Sequence, residues 1–428
     1  MSFTPRRRAA WLCLAAVAPS AHALEADLAL SHTAEYTTNT ARTETDEVEE
    51  WVNTPGVELS LTQEGAALDL DSQYRLQRRL YERDLFDDET VLTGQTELLW
   101  RALPERLDFT VRNVRTESTE RARVPNVEDN RQTVSTTEAG PTLRLRPQSN
   151  AELQISYLYS DLRAEETDTD SHRHTGTAQY VVELSPIRTL TLAASNIRVQ
   201  FDNPIAPDLD IRLGEVTFDH RGNRLEYALT GGYNETRRNQ DRDTVDGAVG
   251  ELSVRWNATS ETSLELAASR RIVDNASRLT TGILDFGDSV DEDTDLNEVF
   301  TETMGRVALA SRLGNNDVVL ALSAGEEDYE DALRDSERQA VSATLGRDLN
   351  PRTSLRAVVE FGKRKFTDED DEYDEIRGTL ELTRQMTRRF EVVLGVHYDE
   401  RDPRGDGGFA YDEWVGRLQL RYHLLGGR

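Results

Sequence analysis

The segment RLQLRYHLL, Arg417–Leu425, lies near the end of the chain and alternates strictly between polar and apolar residues up to its last position. Successive side chains of a β-strand point to opposite faces, so this alternation predicts a strand with one apolar and one charged face. A membrane barrel stabilises both faces, because its strands separate lipid from an aqueous lumen. The segment therefore predicts the closing strand of such a barrel.

The same period-two alternation recurs along the whole chain. Helical spacing fits none of these segments, so the sequence predicts an all-β protein. Counting strands on either side of each turn gives about 20 strands (roughly 18 to 22), joined in order as hairpins. Clear examples are Leu107–Val111, Leu153–Tyr159, Leu355–Phe361 and Phe390–Tyr398.

Short and long connections alternate between these strands. Short turns are predicted at Gln63–Ala66, Leu103–Arg106, Pro147–Asn150, Ser185–Arg188, Arg221–Arg224, Asn257–Glu261, Leu313–Asn316, Leu349–Arg352 and Gln385–Arg388. Longer, acid-rich connections lie between them, among them residues 42–50, 164–171, 288–295, 326–331 and 368–375. Transmembrane barrels have short periplasmic turns and longer extracellular loops. We therefore expect a single up-and-down antiparallel transmembrane β-barrel with short periplasmic turns and long acidic extracellular loops.

Aromatic residues lie at both ends of the apolar faces of the last two strands. Phe390 and Tyr398 are eight residues apart, as are Trp414 and Tyr422. Eight residues of a tilted strand span roughly 21 Å, close to the apolar band of about 25 Å in such barrels. We interpret these four residues as an aromatic girdle. A soluble β-sandwich is the alternative for an alternating all-β chain, but the loop rhythm and the girdle favour the barrel.

Charged residues recur in mid-strand on the polar face, which suits a hydrated interior. A large barrel with such an interior has the character of a pore. The residues predicted to line it are Arg112, Arg356, Glu360, Glu391, Arg417 and Arg421.

The start of the chain has the pattern of a secretory signal peptide. Three arginines, Arg6–Arg8, precede a short apolar run, and Ala21-His22-Ala23 is a small-x-small cleavage motif. We expect residues 1–23 to be removed and residues 24–428 to form the barrel in the outer membrane of a Gram-negative bacterium. Strands begin near Ala26, so we expect no plug domain of the size that precedes the barrel in TonB-dependent transporters.

Composition excludes some partners and indicates others. The chain carries a formal charge of −29, so it would repel nucleic acid. The expected partners are outer-membrane lipid and lipopolysaccharide, the barrel-assembly machinery, and polysaccharide or cations at the acidic loops. The chain ends on Gly426–Arg428 rather than on the aromatic residue that usually serves as an assembly signal.

Few residues suit catalysis or metal binding. Cys13, in the predicted signal peptide, is the only cysteine, so thiolate metal sites are not expected. His172 and His174 share a strand face, but two histidines without further ligands are a weak metal site. Asp291–Asp295 resembles the start of an EF-hand loop and has Leu296 where glycine is required. We predict no enzyme activity, catalytic residue, metal or cofactor.

The segment LALSHTAEYTTNTARTETDEVEEW, Leu28–Trp51, contains an aromatic-x-x-Asn turn at Tyr36–Asn39. With the strand rhythm and the chain length, it resembles a family of outer-membrane β-barrels of the porin type associated with PEP-CTERM/exosortase protein sorting and exopolysaccharide systems. The resemblance covers nearly all of the chain after residue 23. It implies no catalytic residues.

The function expected from these features is that of a pore or conduit in the outer membrane. The resemblance implies export of exopolysaccharide or of sorted surface proteins. The alternative is a structural or anchoring barrel with a closed lumen, whose acidic loops bind surface glycan or cations. A barrel-embedded hydrolase is the least favoured class. A long loop such as Asp274–Glu298 could fold inward and fill the lumen.

Overall fold

The computed structural model describes residues 24–426 except residues 84, 120–124, 166–169, 205, 240–243, 275–297, 330–334, 368–371 and 405–408. The predicted signal peptide, the EF-hand-like segment Asp291–Asp295 and the acidic stretch 288–295 lie outside the described residues, as do residues 368–371. So does the interior of the Asp274–Glu298 loop, of which only the two ends are described.

Alternating sequences of 13 to 18 residues form twenty strands. The strands are β1 (Glu25–Thr37), β2 (Glu50–Gln63), β3 (Leu68–Tyr81), β4 (Glu89–Leu103), β5 (Leu107–Thr119), β6 (Arg131–Gln148), β7 (Ala151–Ala164), β8 (Ser171–Ser185), β9 (Arg188–Phe201), β10 (Leu209–Arg221), β11 (Leu225–Arg238), β12 (Thr244–Asn257), β13 (Thr262–Asp274), β14 (Val299–Leu313), β15 (Asn316–Tyr329), β16 (Ser336–Asn350), β17 (Thr353–Phe366), β18 (Glu372–Gln385), β19 (Phe390–Pro403) and β20 (Tyr411–Leu425).

All twenty strands belong to one closed antiparallel sheet. Each strand pairs with the next along the chain, and β1 also pairs with β20, with Leu30 opposite Tyr422 and Ala34 opposite Leu418. This confirms the predicted all-β, up-and-down barrel of about 20 strands. Among the described residues the only helical element is a 3₁₀ turn, Glu128–Asn130.

None of the helical residues in the described ranges forms a segment long and apolar enough to cross a membrane.

The two ends of the barrel differ in the length of their connections. Connections of two to four residues join strands at one end, and those of five to twenty-four residues join them at the other. Each of the nine predicted turns falls between two strands at the first end, here named the turn end; the other is the loop end. That the turn end faces the periplasm and the acidic loops face outside remains a prediction.

The outer face of the barrel is an apolar belt. Val341 and Leu394, on β16 and β19, are about half exposed although both belong to regular, fully paired strands. Exposure of aliphatic side chains around a whole sheet is costly in water and favourable in lipid, so this is the surface of a transmembrane barrel.

The four girdle residues form two cross-strand pairs on this outer surface. Phe390 lies opposite Tyr422 near the turn end, and Tyr398 lies opposite Trp414 near the loop end. The Tyr398 and Trp414 rings have centroids 4.6 Å apart. The two pairs therefore bracket the apolar belt, as amphipathic aromatic rings do at the two interfaces of a membrane.

A second apolar region lies inside the barrel at its loop end. Inward-facing side chains of β6, β7, β9 and β10 form it together with the tip of β14. Its buried members are Val134, Leu162, Val199, Phe201, Leu209, Ile211 and Val299. The lumen is therefore not polar along its whole length, which the alternation of the strands did not predict.

Adjacent substitutions on β16 test the assignment of the two faces. Val341→Arg is expected to destabilise the barrel by about 2–4 kcal/mol if its side chain lies near the membrane midplane, because it places a cation in lipid. Ser342→Arg points into the lumen, where its cross-strand partner is Glu360, and should cost far less. Urea titration of the folded band in heat-modified gel mobility measures both. Equal losses would contradict the membrane barrel.

Candidate functional site

The inward faces of the strands form a charged lumen, which is the candidate functional site. Arg421 bonds to Glu391, with 2.9 Å between Nη1 and Oε1. Arg112 lies 3.4 Å from Glu97 on the neighbouring strand. These residues alternate with lipid-facing ones on regular strands, so the same alternation that forms the apolar belt directs their charges inward.

The remaining residues predicted to line the pore also lie on this face. Arg417 Nε is 3.6 Å from a Glu35 oxygen, and a Glu360 oxygen is 3.9 Å from Arg377 Nη1. Arg356 has no ion-pair partner within 4 Å among the described residues and is exposed. The structure thus distributes the six predicted residues around the wall rather than gathering them into one cluster.

Several charged side chains in the turn half of the lumen are exposed to water, although Asp108, paired with Arg144, is buried. The side chains of Arg112 and Glu97 are 40% and 63% exposed. Arg255 and Glu265, which bond at 2.7 Å, are 54% and 44% exposed. Ion pairs this accessible are screened and contribute little to stability, so these side chains face a hydrated part of the lumen.

Charged side chains in the loop half are paired and buried. Arg42, from the β1–β2 loop, bonds to Asp399 at 3.1 Å and to Glu413 at 2.9 Å, and both carboxylates are less than 10% exposed. Buried charges are tolerated only with partners, so these pairs hold neighbouring segments together. Similar pairs are Arg79–Glu117, Arg173–Asp274, Arg338–Glu302, Arg364–Glu327 and Arg401–Glu375.

The barrel wall separates between β4 and β5 at the loop end. Gly94 and Arg115 are the last partners of these two strands, and beyond them residues 89–93 and 116–119 do not pair with each other. The φ of Gly94 is +152°, a conformation that residues with a Cβ rarely adopt. Arg115 Nε donates a 2.9 Å hydrogen bond to the carbonyl of Leu92, which the separation leaves without its ladder partner. We name this gap the first seam.

Beyond the first seam the β5–β6 hairpin curls into the lumen. Glu117 has the outward parity of β5, yet it accepts two hydrogen bonds from Arg79, which points inward from β3. Glu128, in the loop, bonds to Arg79 and Tyr81. Burial alone would raise the pKa of Glu128, but hydrogen bonds from Glu89 and Tyr81 and the nearby arginines outweigh it and lower that pKa. The cluster therefore favours an ionised Glu128 inside the mouth.

A cavity of about 410 Å³ lies between this curled hairpin and the opposite wall. Arg42, Arg79 and Glu128 line its loop side, and Glu381 and Arg417 lie towards the turn end. The cavity is thus bordered by charges of both signs, and it lies where the hydrated and the paired halves of the lumen meet.

A second seam separates β12 from β13, also at the loop end. Gly250 and Arg270 are the last partners, although β12 extends to Thr244 and β13 to Asp274. The loop-end residues of β13 and β14 turn inward, and Asp274 bonds to Arg173 on β8 at 2.8 Å. The two ends of the Asp274–Glu298 loop, at Asp274 and Glu298, are buried.

The candidate metal ligands lie on the outer face rather than in the lumen. His172 contacts Asp161 through Nδ1 at 3.1 Å and Asp202 through Nε2 at 3.3 Å. His174 Nδ1 is 2.7 Å from the hydroxyl of Tyr157. Asp161 and Asp202 contact opposite nitrogens of the His172 ring, so one metal ion cannot bind the ring and both carboxylates. In the described part of the chain no group of three or more ligands could hold a metal ion.

Sequence reasoning missed the residues that close the loop half. Arg42, Arg79, Arg173 and Asp274 have no local motif, because their partners are distant in sequence and depend on where two seams open. The weak signals available were glycines at the last paired positions, Gly94 and Gly250, and the unusual length of the loop after Asp274.

Comparison with known proteins identifies the fold. The siderophore receptor PirA from Acinetobacter baumannii superposes with a TM-score of 0.53 and 6% identity over 94% of this chain and 80% of that one. The FrpB iron transporter from Neisseria meningitidis (F3-3 variant) gives 0.51 and 8% identity over 93% and 81%.

No protein-family model matches the chain, and no curated protein is significantly similar to it in sequence. At these identities the likeness to solved structures shows the fold alone. The chain has the fold of the closed outer-membrane β-barrels.

Neighbouring arginines on β3 test the role of the curled β5–β6 hairpin. Arg79→Met is expected to destabilise the corner at residues 116–119 by roughly 3 kcal/mol, because it removes one partner of a buried ion-pair cluster. Arg78→Met changes only an exposed pair, with Asp88 at 3.4 Å, and serves as the control. Hydrogen exchange of the backbone amides should accelerate at this corner in the first variant alone. Protection unchanged by Arg79→Met would show that the cluster does not hold the corner.

Proposed function

We propose that the chain is an outer-membrane conduit of a Gram-negative bacterium, with a lumen that is hydrated from the turn end and closed at the loop end. One observation carries this proposal: lumen charges change from exposed, as at Arg356, to buried and paired, as at Asp399. A barrel of this strand number is wide enough for an aqueous channel unless something fills it. The apolar belt and the fold support a membrane location, and the N-terminal signal pattern supports secretion.

We propose that the turn end faces the periplasm. The difference in connection length between the two ends supports this orientation, because outer-membrane barrels keep their periplasmic connections short. The hydrated half would then be open to the periplasm, and the paired half would lie towards the outside. This arrangement suits a conduit that is loaded from within the cell.

The cargo is proposed to be exopolysaccharide or a sorted surface protein. The resemblance of Leu28–Trp51 to barrels of the PEP-CTERM/exosortase systems supports this cargo, and the charged lumen wall suits a hydrophilic substrate. Lipopolysaccharide, the barrel-assembly machinery, and polysaccharide or cations at the acidic loops stay as proposed partners.

A second candidate is a structural or anchoring barrel with a permanently closed lumen. The density of buried ion pairs in the loop half favours it, because breaking one partner of such a pair is strongly unfavourable. Arg42, for example, links the β1–β2 loop to both β19 and β20 through Asp399 and Glu413. The two candidates differ in whether the loop half ever opens.

Current through planar bilayers distinguishes the two candidates. Purified, folded protein is expected to open briefly and rarely, because the described state is closed at the loop end. With a formal charge of −29, the open channel should prefer cations at about 0.1 M salt, and less so at about 1 M, where the screening length is about 3 Å. Removal of residues 278–294 should lengthen the openings, since the ends of that loop are buried in the barrel.

The control is the same preparation after heat unfolding, which should give no events. If the full chain and the shortened chain both conduct nothing while gel mobility shows them folded, the conduit is excluded and the structural barrel is supported.

A further inference from the structure

We propose that the second seam, between β12 and β13, is the gate of the conduit: the lumen is closed while these strands are separated and opens when they pair to their ends. The inference rests on the proposed conduit. The moving part is the corner formed by Arg271–Asp274 of β13 and Val299–Glu302 of β14. We name it the curled corner.

The curled corner is separated from β12 but remains part of the sheet on its other side. β13 pairs with β14 in regular register to Asp274 opposite Val299. On its other side, pairing with β12 stops at Gly250 opposite Arg270, although both strands continue as strands beyond that point. On the β14 side the corner stays paired with β15, with Phe300 opposite Tyr329. The corner and the end of β15 can therefore move together relative to β12 without breaking these ladders.

The separated state is held by contacts inside the barrel. Ile272 and Asp274 have the parity that elsewhere on β13 faces lipid, as at Leu266. Here the curl turns them inward: Ile272 packs against the apolar region at the loop end, and its Cδ1 would lie 3.7 Å from a Cβ on Gly247. Asp274, only 2% exposed, bonds through both oxygens to Arg173 at 2.8 and 2.9 Å.

The paired state follows from extending the existing register. Beyond Gly250 and Arg270 the next outward-facing partners would be Ala248 and Ile272, and then Asp246 and Asp274. Pairing would restore backbone hydrogen bonds and return the corner to the wall. It would also remove Asp274 from Arg173 and place two carboxylates opposite each other, which is unfavourable in a cross-strand pair. Restored backbone hydrogen bonds favour the paired state, and the Asp274–Arg173 ion pair favours the separated state. The corner therefore has two discrete arrangements, paired and separated.

Movement between these arrangements changes the lumen directly. In the separated state the curled corner covers the inward faces of Val199, Leu209 and Ile211, so it occupies the interior of the loop half. On its other face Phe300 stacks on Tyr329, its cross-strand partner on β15, with ring centroids 4.6 Å apart. Return of the corner to the wall would clear this space.

Cysteine pairs on β12 and β13 trap the paired state. Ala248→Cys with Ile272→Cys is designed to form a disulfide when the strands pair in the extended register, which makes these residues cross-strand partners within the Cα distance of about 7 Å that a disulfide needs. Leu252→Cys with Ala268→Cys is the matched control, since these residues are already partners. Cys13 is the only native cysteine and lies in the predicted signal peptide, so the background is clean. Oxidation is followed in proteoliposomes by gel shift and mass spectrometry.

The control pair is expected to oxidise at once and without effect on current. The Ala248/Ile272 pair should oxidise slowly, and the trapped protein should conduct persistently until a reductant restores brief openings. Adding Arg173→Gln should accelerate trapping on the order of a hundredfold, because it removes one partner of a buried ion pair. Adding Arg255→Gln, which alters an exposed pair on the same two strands, should not accelerate it.

Two results would overturn the gate. If the Ala248/Ile272 pair stays reduced even with Arg173→Gln, while the control pair oxidises, the seam does not pair. If the disulfide forms and the current stays unchanged in a protein that otherwise conducts, the seam moves but is not the gate. If no variant conducts although the disulfide forms, the conduit itself fails, while the movement of the seam stands.

Discussion

Every backbone group of a strand in lipid must find its hydrogen-bond partner within the protein, and this constraint determines the architecture. The pairing of β1 with β20 closes the sheet and leaves no edge in the apolar belt. Both seams open only at the loop end, where polar groups can replace the ladder. Arg115 does so at the first seam, by donating to the carbonyl of Leu92. The strands are thus paired throughout the apolar belt, and they separate only at the loop end.

The two seams at the loop end have a consequence for the lumen. Two curled hairpins bring segments that are far apart in the chain into contact, such as β8 with β13 and β3 with the β5–β6 loop. Apolar side chains fill the interior on one side, and buried ion pairs such as Arg42–Asp399 join segments on the other. In the turn half more of the charges are exposed, as at Arg112 and Arg255, although Asp108 is buried beside Arg144. The described strands and loops of one barrel therefore form both the more exposed and the more closed half of the lumen.

Much of the fold could be predicted from the sequence, because alternation is a local property. The strict pattern of Arg417–Leu425 predicted the last strand, and the short turns predicted the order of the hairpins. The closure could not be predicted in the same way. Asp274 looks like one more acid at the start of an acidic loop, and only the loss of pairing after Gly250 brings it to Arg173. A seam opens where long-range side-chain contacts outweigh continued pairing of two strands. This balance leaves no periodic pattern in a single sequence.

Reactivity of single cysteines along β17, Thr353–Phe366, tests the central claim most directly, that the lumen is hydrated at the turn end and closed at the loop end. A membrane-impermeant thiol reagent is applied to folded protein in liposomes. We expect labelling to alternate with period two, to be fast at Ser354→Cys and Arg356→Cys, and to fall steeply towards Arg364→Cys, whose native side chain is paired with Glu327. Labelling that is equally fast at both ends of the strand, or that does not alternate, would contradict the account.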